Sequence, residues 1–176
     1  MRDNDLILRK LCDCEKDYRL LERWYQEKCV YDNFEQRKLN YDEIKKKYYP
    51  RTLENTDVPV YVIESNDNAI GIIQYKKIND EDRKIYNIIE DNCYEIDIFI
   101  GEVDCRNKGL GKRSIELISN YLFNELDAKI LVMCPLKENI NAIKCYLKCG
   151  FKIMNEFVCK NTIGVLSKYV LMVKNV

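Results

Sequence analysis

The stretch YEIDIFIGEVDCRNKGLGKRSIEL, residues 94–117, decides the fold. Its first part reads as a buried strand, residues 94–100, carried by Ile96, Ile98, Phe99 and Ile100. Two carboxylates, Glu95 and Asp97, interrupt the apolar run. Burying an unpaired carboxylate costs on the order of several kcal/mol. Asp97 is therefore paired with a cation, placed in water at a strand end, or kept for chemistry. Beyond Gly101 the chain turns through Arg106-Asn107-Lys108-Gly109-Leu110-Gly111 and enters a helix over 109–126. Ile115, Ile118 and Leu122 form that helix's apolar stripe. Two glycines allow a bend and a close backbone approach. The free N–H groups and dipole of the first helical turn favour an anionic group such as phosphate. Arg106, Lys108, Lys112 and Arg113 add positive charge. A Walker A loop would need glycine where Arg106 stands, and a dinucleotide fingerprint would need glycine or alanine in place of Ser114. Taken alone, the loop is open to two readings: an anion cradle, or a glycine-rich turn with solvated lysines.

The rest of the chain supplies the partners of this strand. DLILRKL (5–11) reads as a first strand, and EKDYRLLERWYQEK as a helix with Tyr18, Leu21, Trp24 and Tyr25 on one side. NYDEIKKKYY suggests a second helix that stops near Pro50. Strands are expected at 58–64 and 69–77, joined by the turn residues SNDN. Residues 79–92 form a polar, mostly acidic connection, either a solvated loop or a cover for a cationic ligand. AKILVMC (128–134) is a buried strand, and 139–150 a short helix closed by Gly150 at the C-cap place. FKIMNEF and SKYVLMVK close the chain as strands. This succession is mixed α/β in one domain, residues 1–176.

Composition removes whole classes of function. Lys plus Arg equals Asp plus Glu, 29 each, so no overall field marks a nucleic-acid or membrane binder. No apolar run is long enough to span a bilayer, and the start MRDNDLILRK lacks a signal-peptide core, so the expected location is cytoplasmic. There is no histidine, which excludes Ser-His-Asp, Cys-His and HExxH chemistry. Acid–base work falls to Asp, Glu, Tyr, Lys, Cys or water. The nine cysteines make no paired CxxC pattern, so neither a zinc site nor any other metal is expected, and reduced, buried thiols are the simplest reading.

Two motifs in order resolve the loop. Arg106-x-x-Gly109-x-Gly111 matches the (Gln/Arg)-x-x-Gly-x-(Gly/Ala) signature of the GNAT N-acetyltransferase superfamily. Asn139, Ala142, Tyr146, Gly150 and Phe151 match its second stretch at the expected separation. Within the superfamily the chain resembles aminoglycoside 6′-N-acetyltransferases, from about Ile7 to Val173 and most clearly from Tyr94 to Phe151.

The resemblance implies a GNAT fold: a mixed central sheet splayed between two parallel strands, here 94–100 and 128–134, with flanking helices. It implies acetyl-coenzyme A in the gap as co-substrate. The pyrophosphate would rest on the amides of Lys108, Gly109, Leu110, Gly111 and Lys112, beside Asn107, with Arg106 and Arg113 as further contacts. Backbone groups of Ile98, Phe99 and Ile100 would pair with the pantetheine arm, and Asn139 would hold it from across the gap. Asp97 would receive the acceptor's ammonium and its proton, and Tyr146 would protonate the departing thiolate. Tyr94 and Glu95 are weaker candidates for the acceptor wall. Some relatives carry Asp-Pro at the end of the second gap strand; here the pair is Cys134-Pro135. Glu81, Asp82, Glu90 or Asp91 could replace the missing charge. The implied partner is an aminoglycoside or another amine, such as a polyamine or a protein N-terminus, bound by a monomer or homodimer. A non-catalytic acyl-coenzyme A binder is the alternative of another class.

Overall fold

The computed structural model describes all 176 residues. Eight strands form one mixed sheet: β1 (Arg2–Asp3), β2 (Leu6–Lys10), β3 (Val60–Ser65), β4 (Asn68–Lys77), β5 (Cys93–Ile100), β6 (Ile130–Met133), β7 (Lys152–Lys160) and β8 (Leu166–Asn175). Their order is β1-β2-β3-β4-β5-β6-β8-β7. The helices are α1 (Glu15–Trp24), α2 (Lys28–Tyr31), α3 (Tyr41–Tyr48), α4 (Asp80–Tyr86), α5 (Leu110–Glu125) and α6 (Ile140–Lys148). No helix is long and apolar enough to cross a membrane.

Local chemistry explains the elements that the sequence announces. Asn66 and Asp67 both take positive φ between β3 and β4, the two-residue turn whose twist suits a hairpin. Asn40 and Glu43 cap α3 reciprocally. At the end of α6, the N–H of Phe151 bonds to Tyr146 and that of Gly150 to Leu147, which satisfies two terminal carbonyls around Gly150. The expected first strand forms as β2, and a short strand not anticipated in the sequence, β1, precedes it across a turn with Asn4 at φ 52°. The expected first helix ends at Trp24, and α2 follows it as a separate turn. The 79–92 connection is not all loop: Asn79 caps α4 through the amide of Asp82.

Apolar alternation splits the core in two. On one face, α5 and α6 bring Ile115, Ile118, Leu122 and Tyr146 onto Ile73, Tyr75, Ile96 and Leu131. On the other, α1 to α3 bring Trp24, Tyr25 and Tyr48 onto Val62, Ile72 and Phe99. Gly101 sits where the two halves meet. A Cβ there would lie 2.2 Å from the Trp24 ring, so no larger residue fits. Glu102 then fixes α1, accepting from Trp24 Nε1 at 2.8 Å and from Arg23.

β5 is the hinge of the site. It pairs antiparallel with β4 along its length and parallel with β6 only from Cys93 to Glu95. Beyond Glu95, β5 runs on to Ile100 while β6 ends at Met133. A gap opens between them.

Candidate active site

Two clefts flank this gap and meet at Asp97, Cys134, Asn33 and Phe34. The first, about 310 Å³, lies between the end of β5 and α6. Ile98, Phe99, Ile100, Arg106, Asn107, Gly111, Asn139 and Tyr146 line it. The second, about 350 Å³, is floored by Gln74, Lys76, Glu95 and Asp97 of β4 and β5. Lys47, Arg51, Tyr86, Phe157 and Tyr169 wall it. Thr162 Oγ1 reaches the Glu35 carbonyl and Gln36 Oε1 at its outer edge, so the β7–β8 turn touches the 33–36 loop there.

The backbone of the first cleft is prepared for a polar, extended ligand. Odd-numbered β5 residues face β4: Gly101 N–H donates to Ile70, and Cys93 accepts from Ile78. Alternation therefore turns the amides of Ile98 and Ile100 into the gap, where β6 no longer reaches. Phe99 departs from expectation. Its backbone faces Ile72, and its ring packs against Trp24 and Tyr25. At the loop, Gly109 takes φ 80°, a left-handed conformation that only glycine adopts freely. The amides of residues 107–112 find no acceptor in the protein. Arg106 ties the loop to the strand, donating to Ile100 O at 2.9 Å and Gly101 O at 2.7 Å. Asn139 caps α6 by accepting from Ala142 N at 3.2 Å, and its amide nitrogen makes no hydrogen bond within the protein.

The basic residues around the loop divide differently from the sequence reading. Arg113 turns away and binds Asp3 and Asp5 at 3.0 and 2.8 Å, which fastens the β1–β2 turn to α5. Lys112 faces Glu116 at 3.3 Å. Lys108, Gly109, Leu110, Lys112 and Arg113 line neither cleft with their side chains.

At the junction, Asp97 Oδ2 accepts from Gln74 Nε2 at 2.9 Å, and Gln74 Oε1 accepts from Arg51 at 2.7 Å. Gln74 stands directly across from Asp97 in the β4–β5 register. Glu95, two residues back on the same face, is buried. Desolvation, with the charge of Asp97 adding to it, pushes Glu95 up to about 7. Lys76 opposes this from 3.0 Å, yet the Glu95 oxygen it faces has no hydrogen-bond partner. Burial also holds the Tyr146 hydroxyl well above its ordinary value, so it stays protonated. That hydroxyl makes no hydrogen bond within the protein and keeps access to the first cleft. Burial and nearby Glu95 likewise raise the Cys134 thiol, which keeps it un-ionised and weakly nucleophilic. All nine cysteines are free.

The expected acidic wall is mostly elsewhere. Glu95 and Asp97 line the second cleft, but Glu81, Asp82, Glu90 and Asp91 do not. Asp82 approaches only from behind Lys76, at 3.9 Å. Tyr94 is on the opposite face of the sheet, packed edge-on to Tyr75. Sequence reasoning missed Gln74, Arg51, Lys47 and the 33–36 loop. Gln74 left a signal, a polar residue inside the apolar run AIGIIQYKK. Arg51 and Lys47 left none, since cations in a polar segment look solvated.

A family model described as an acetyltransferase (GNAT) domain matches residues 13–159. The chain belongs to the GNAT acetyltransferase family. It is 24% identical over 152 residues to aminoglycoside N(6′)-acetyltransferase type 1 of Klebsiella pneumoniae, covering 85% of this chain and 75% of that one. This GNAT fold is similar to solved aminoglycoside acetyltransferase AAC(6′)-Ib in complex with coenzyme A, with a TM-score of 0.79 and 22% identity, covering 97% and 94% of the two chains. It is also similar to the spermidine N-acetyltransferase of Vibrio cholerae solved with CoA and spermine, with a TM-score of 0.77 and 22% identity, covering 98% and 96%.

Proposed function

We propose that this GNAT protein transfers the acetyl group of acetyl-coenzyme A directly to a small-molecule amine. The 6′ amine of an aminoglycoside is the acceptor that relationship puts first. The observation that carries the reading is the meeting of the two clefts at Asp97. One cleft offers unpaired backbone donors; the other offers the Asp97 carboxylate, which makes no ion pair.

Acetyl-coenzyme A lies in the first cleft with its pyrophosphate on the free amides of 108–112 and its pantetheine arm along Ile98 and Ile100. Arg106 keeps the loop against the strand, and the Asn139 amide faces the arm. The acceptor's ammonium pairs with Asp97 and gives up a proton to it, directly or through water, because only the neutral amine can attack the thioester. The amine nitrogen forms the new C–N bond, and an amide of Ile98 or Ile100 stabilises the tetrahedral oxyanion. The nitrogen then loses its second proton to water, the C–S bond breaks, and Tyr146 delivers its proton to the departing thiolate and regains one from water. Holding both substrates at once supplies much of the rate.

The spermidine-acetylating relative supports a second acceptor class, polyamines. A non-catalytic acyl-coenzyme A binder has less support, since Asp97 and Tyr146 both face the cleft that would hold the thioester. The test is thiol release from acetyl-coenzyme A with kanamycin, tobramycin, a kanamycin lacking the 6′ amine, and spermidine. Turnover of the first two but not the third establishes the acceptor and the attacked amine. Activity on spermidine alone moves the acceptor to polyamines, and no turnover despite acetyl-coenzyme A binding returns the protein to a binding module.

A further inference from the structure

The charges of the second cleft do not suit a pure polycation. Its lining holds three carboxylates, Glu35, Glu95 and Asp97, and three cations, Lys47, Arg51 and Lys76. Two of each are already spent: Lys47 contacts Glu35, and Lys76 faces Glu95 at 3.0 Å. One acid and one base make no ion pair within the protein, Asp97 and Arg51. They are held as a pair through Gln74, whose amide bonds to Arg51 at 2.7 Å and to Asp97 at 2.9 Å. That geometry keeps the two charged groups within about 8 Å of each other.

Arg51 is also held in place. Its guanidinium lies 5.2 Å from the centre of the buried Tyr48 ring, which restrains it without neutralising it. Of its five N–H donors, one is engaged, by Gln74. A neutral donor would serve to orient Gln74 equally well. A fixed, largely unspent guanidinium beside an ammonium-binding carboxylate fits a planar anion.

We propose that Arg51 forms a carboxylate subsite, so that the acceptor this cleft prefers is an amine that also bears a carboxylate. The amine sits on Asp97 and the carboxylate on Arg51, with Gln74 setting the spacing. This rests on reading the junction as an acetyl-transfer site and narrows the acceptor within it. Aminoglycosides and polyamines, which have no anionic group, are then the lesser acceptors.

The test compares kcat/KM for matched pairs that differ by the carboxylate: 4-aminobutyrate against propylamine, 6-aminohexanoate against pentylamine, and lysine against cadaverine. Kanamycin and spermidine run alongside. At least one amino acid is expected to exceed its partner tenfold or more. In Arg51→Gln that ratio falls to near one, and in Arg51→Lys it falls part-way, because an ammonium lacks the planar fork. The wild-type ratios need no variant, so a poorly folded Arg51→Gln protein does not block the result. Ratios near one in the wild type, or a high ratio that survives Arg51→Gln, overturn the subsite. In that case, turnover of kanamycin or spermidine still upholds acetyl transfer. No thiol release with any amine, while acetyl-coenzyme A binds, overturns acetyl transfer itself and the subsite with it.

Discussion

The two clefts on either side of Asp97 are made from opposite kinds of sequence. The cleft proposed for the cofactor comes largely from two short segments, 96–111 and 133–146. Its chemistry is mostly backbone: parted strands, a glycine loop and the first turn of α5. The cleft proposed for the acceptor comes from scattered side chains on α3, α4, β4, β5, β7 and β8. Backbone chemistry constrains spacing, so it leaves a motif. Side chains gathered from distant elements leave none. One cleft can therefore be shared by a whole family while the other is rebuilt for each acceptor.

Substitution at the junction should separate the clefts most sharply. Asp97→Asn keeps the shape and the bond to Gln74 but removes the proposed base. We expect kcat to fall by about 10² to 10⁴, the usual worth of general acid–base catalysis. Titration calorimetry should show coenzyme A affinity unchanged, because the amides proposed to hold it, at Ile98, Ile100 and 108–112, keep their geometry. An equal loss of both would mean that the clefts are not independent. Tyr146→Phe tests the cofactor side. It should lower kcat by about 10², the low end of the same range, if the hydroxyl protonates the thiolate, and the loss should shrink with a better leaving thiol.

How much of this was legible follows from the same contrast. The strand at 94–100, the helix at 109–126, the hairpin turn at Asn66-Asp67 and the Gly150 cap were all readable, because each is a local pattern of period or turn chemistry. The splay was readable only through the resemblance, since nothing in ILVM says where its pairing stops. Tyr94 was misplaced by its neighbourhood: strand alternation sends it to the face opposite Glu95 and Asp97. The acidic run at 79–92 looked like an acceptor wall, yet α4 turns Glu81 to solvent, and Glu90 and Asp91 are exposed beyond it. Arg113 looked like a phosphate contact and is instead a tie to Asp3 and Asp5.

Smaller effects sharpen the acceptor side. Gln74→Ala removes the strut between Arg51 and Asp97. Turnover should drop about fivefold, the kinetic equivalent of one hydrogen bond worth ~1 kcal/mol, with coenzyme A affinity again unchanged. Glu95 gives the smallest and most specific effect, on stability. Its pKa is raised from 4.5 unfolded to about 7 folded, so the native state holds the extra proton. The stability this contributes is complete below about pH 4.5 and is lost as pH rises through 7. Glu95→Gln should flatten the fall in stability over that window, measured by urea unfolding at several pH values. An unchanged slope would mean that Lys76 neutralises Glu95 fully.

Under the proposed mechanism, acetyl passes straight from one cleft to the other, with no protein group carrying it. Incubating the enzyme with radiolabelled acetyl-coenzyme A and no amine, then quenching and counting the protein, tests this most directly. Direct transfer predicts no bound label, with Cys134 and with Cys145 of α6, which also lines the first cleft, unmodified in the quenched sample. Stoichiometric label at either thiol would establish an acyl-enzyme and contradict direct transfer.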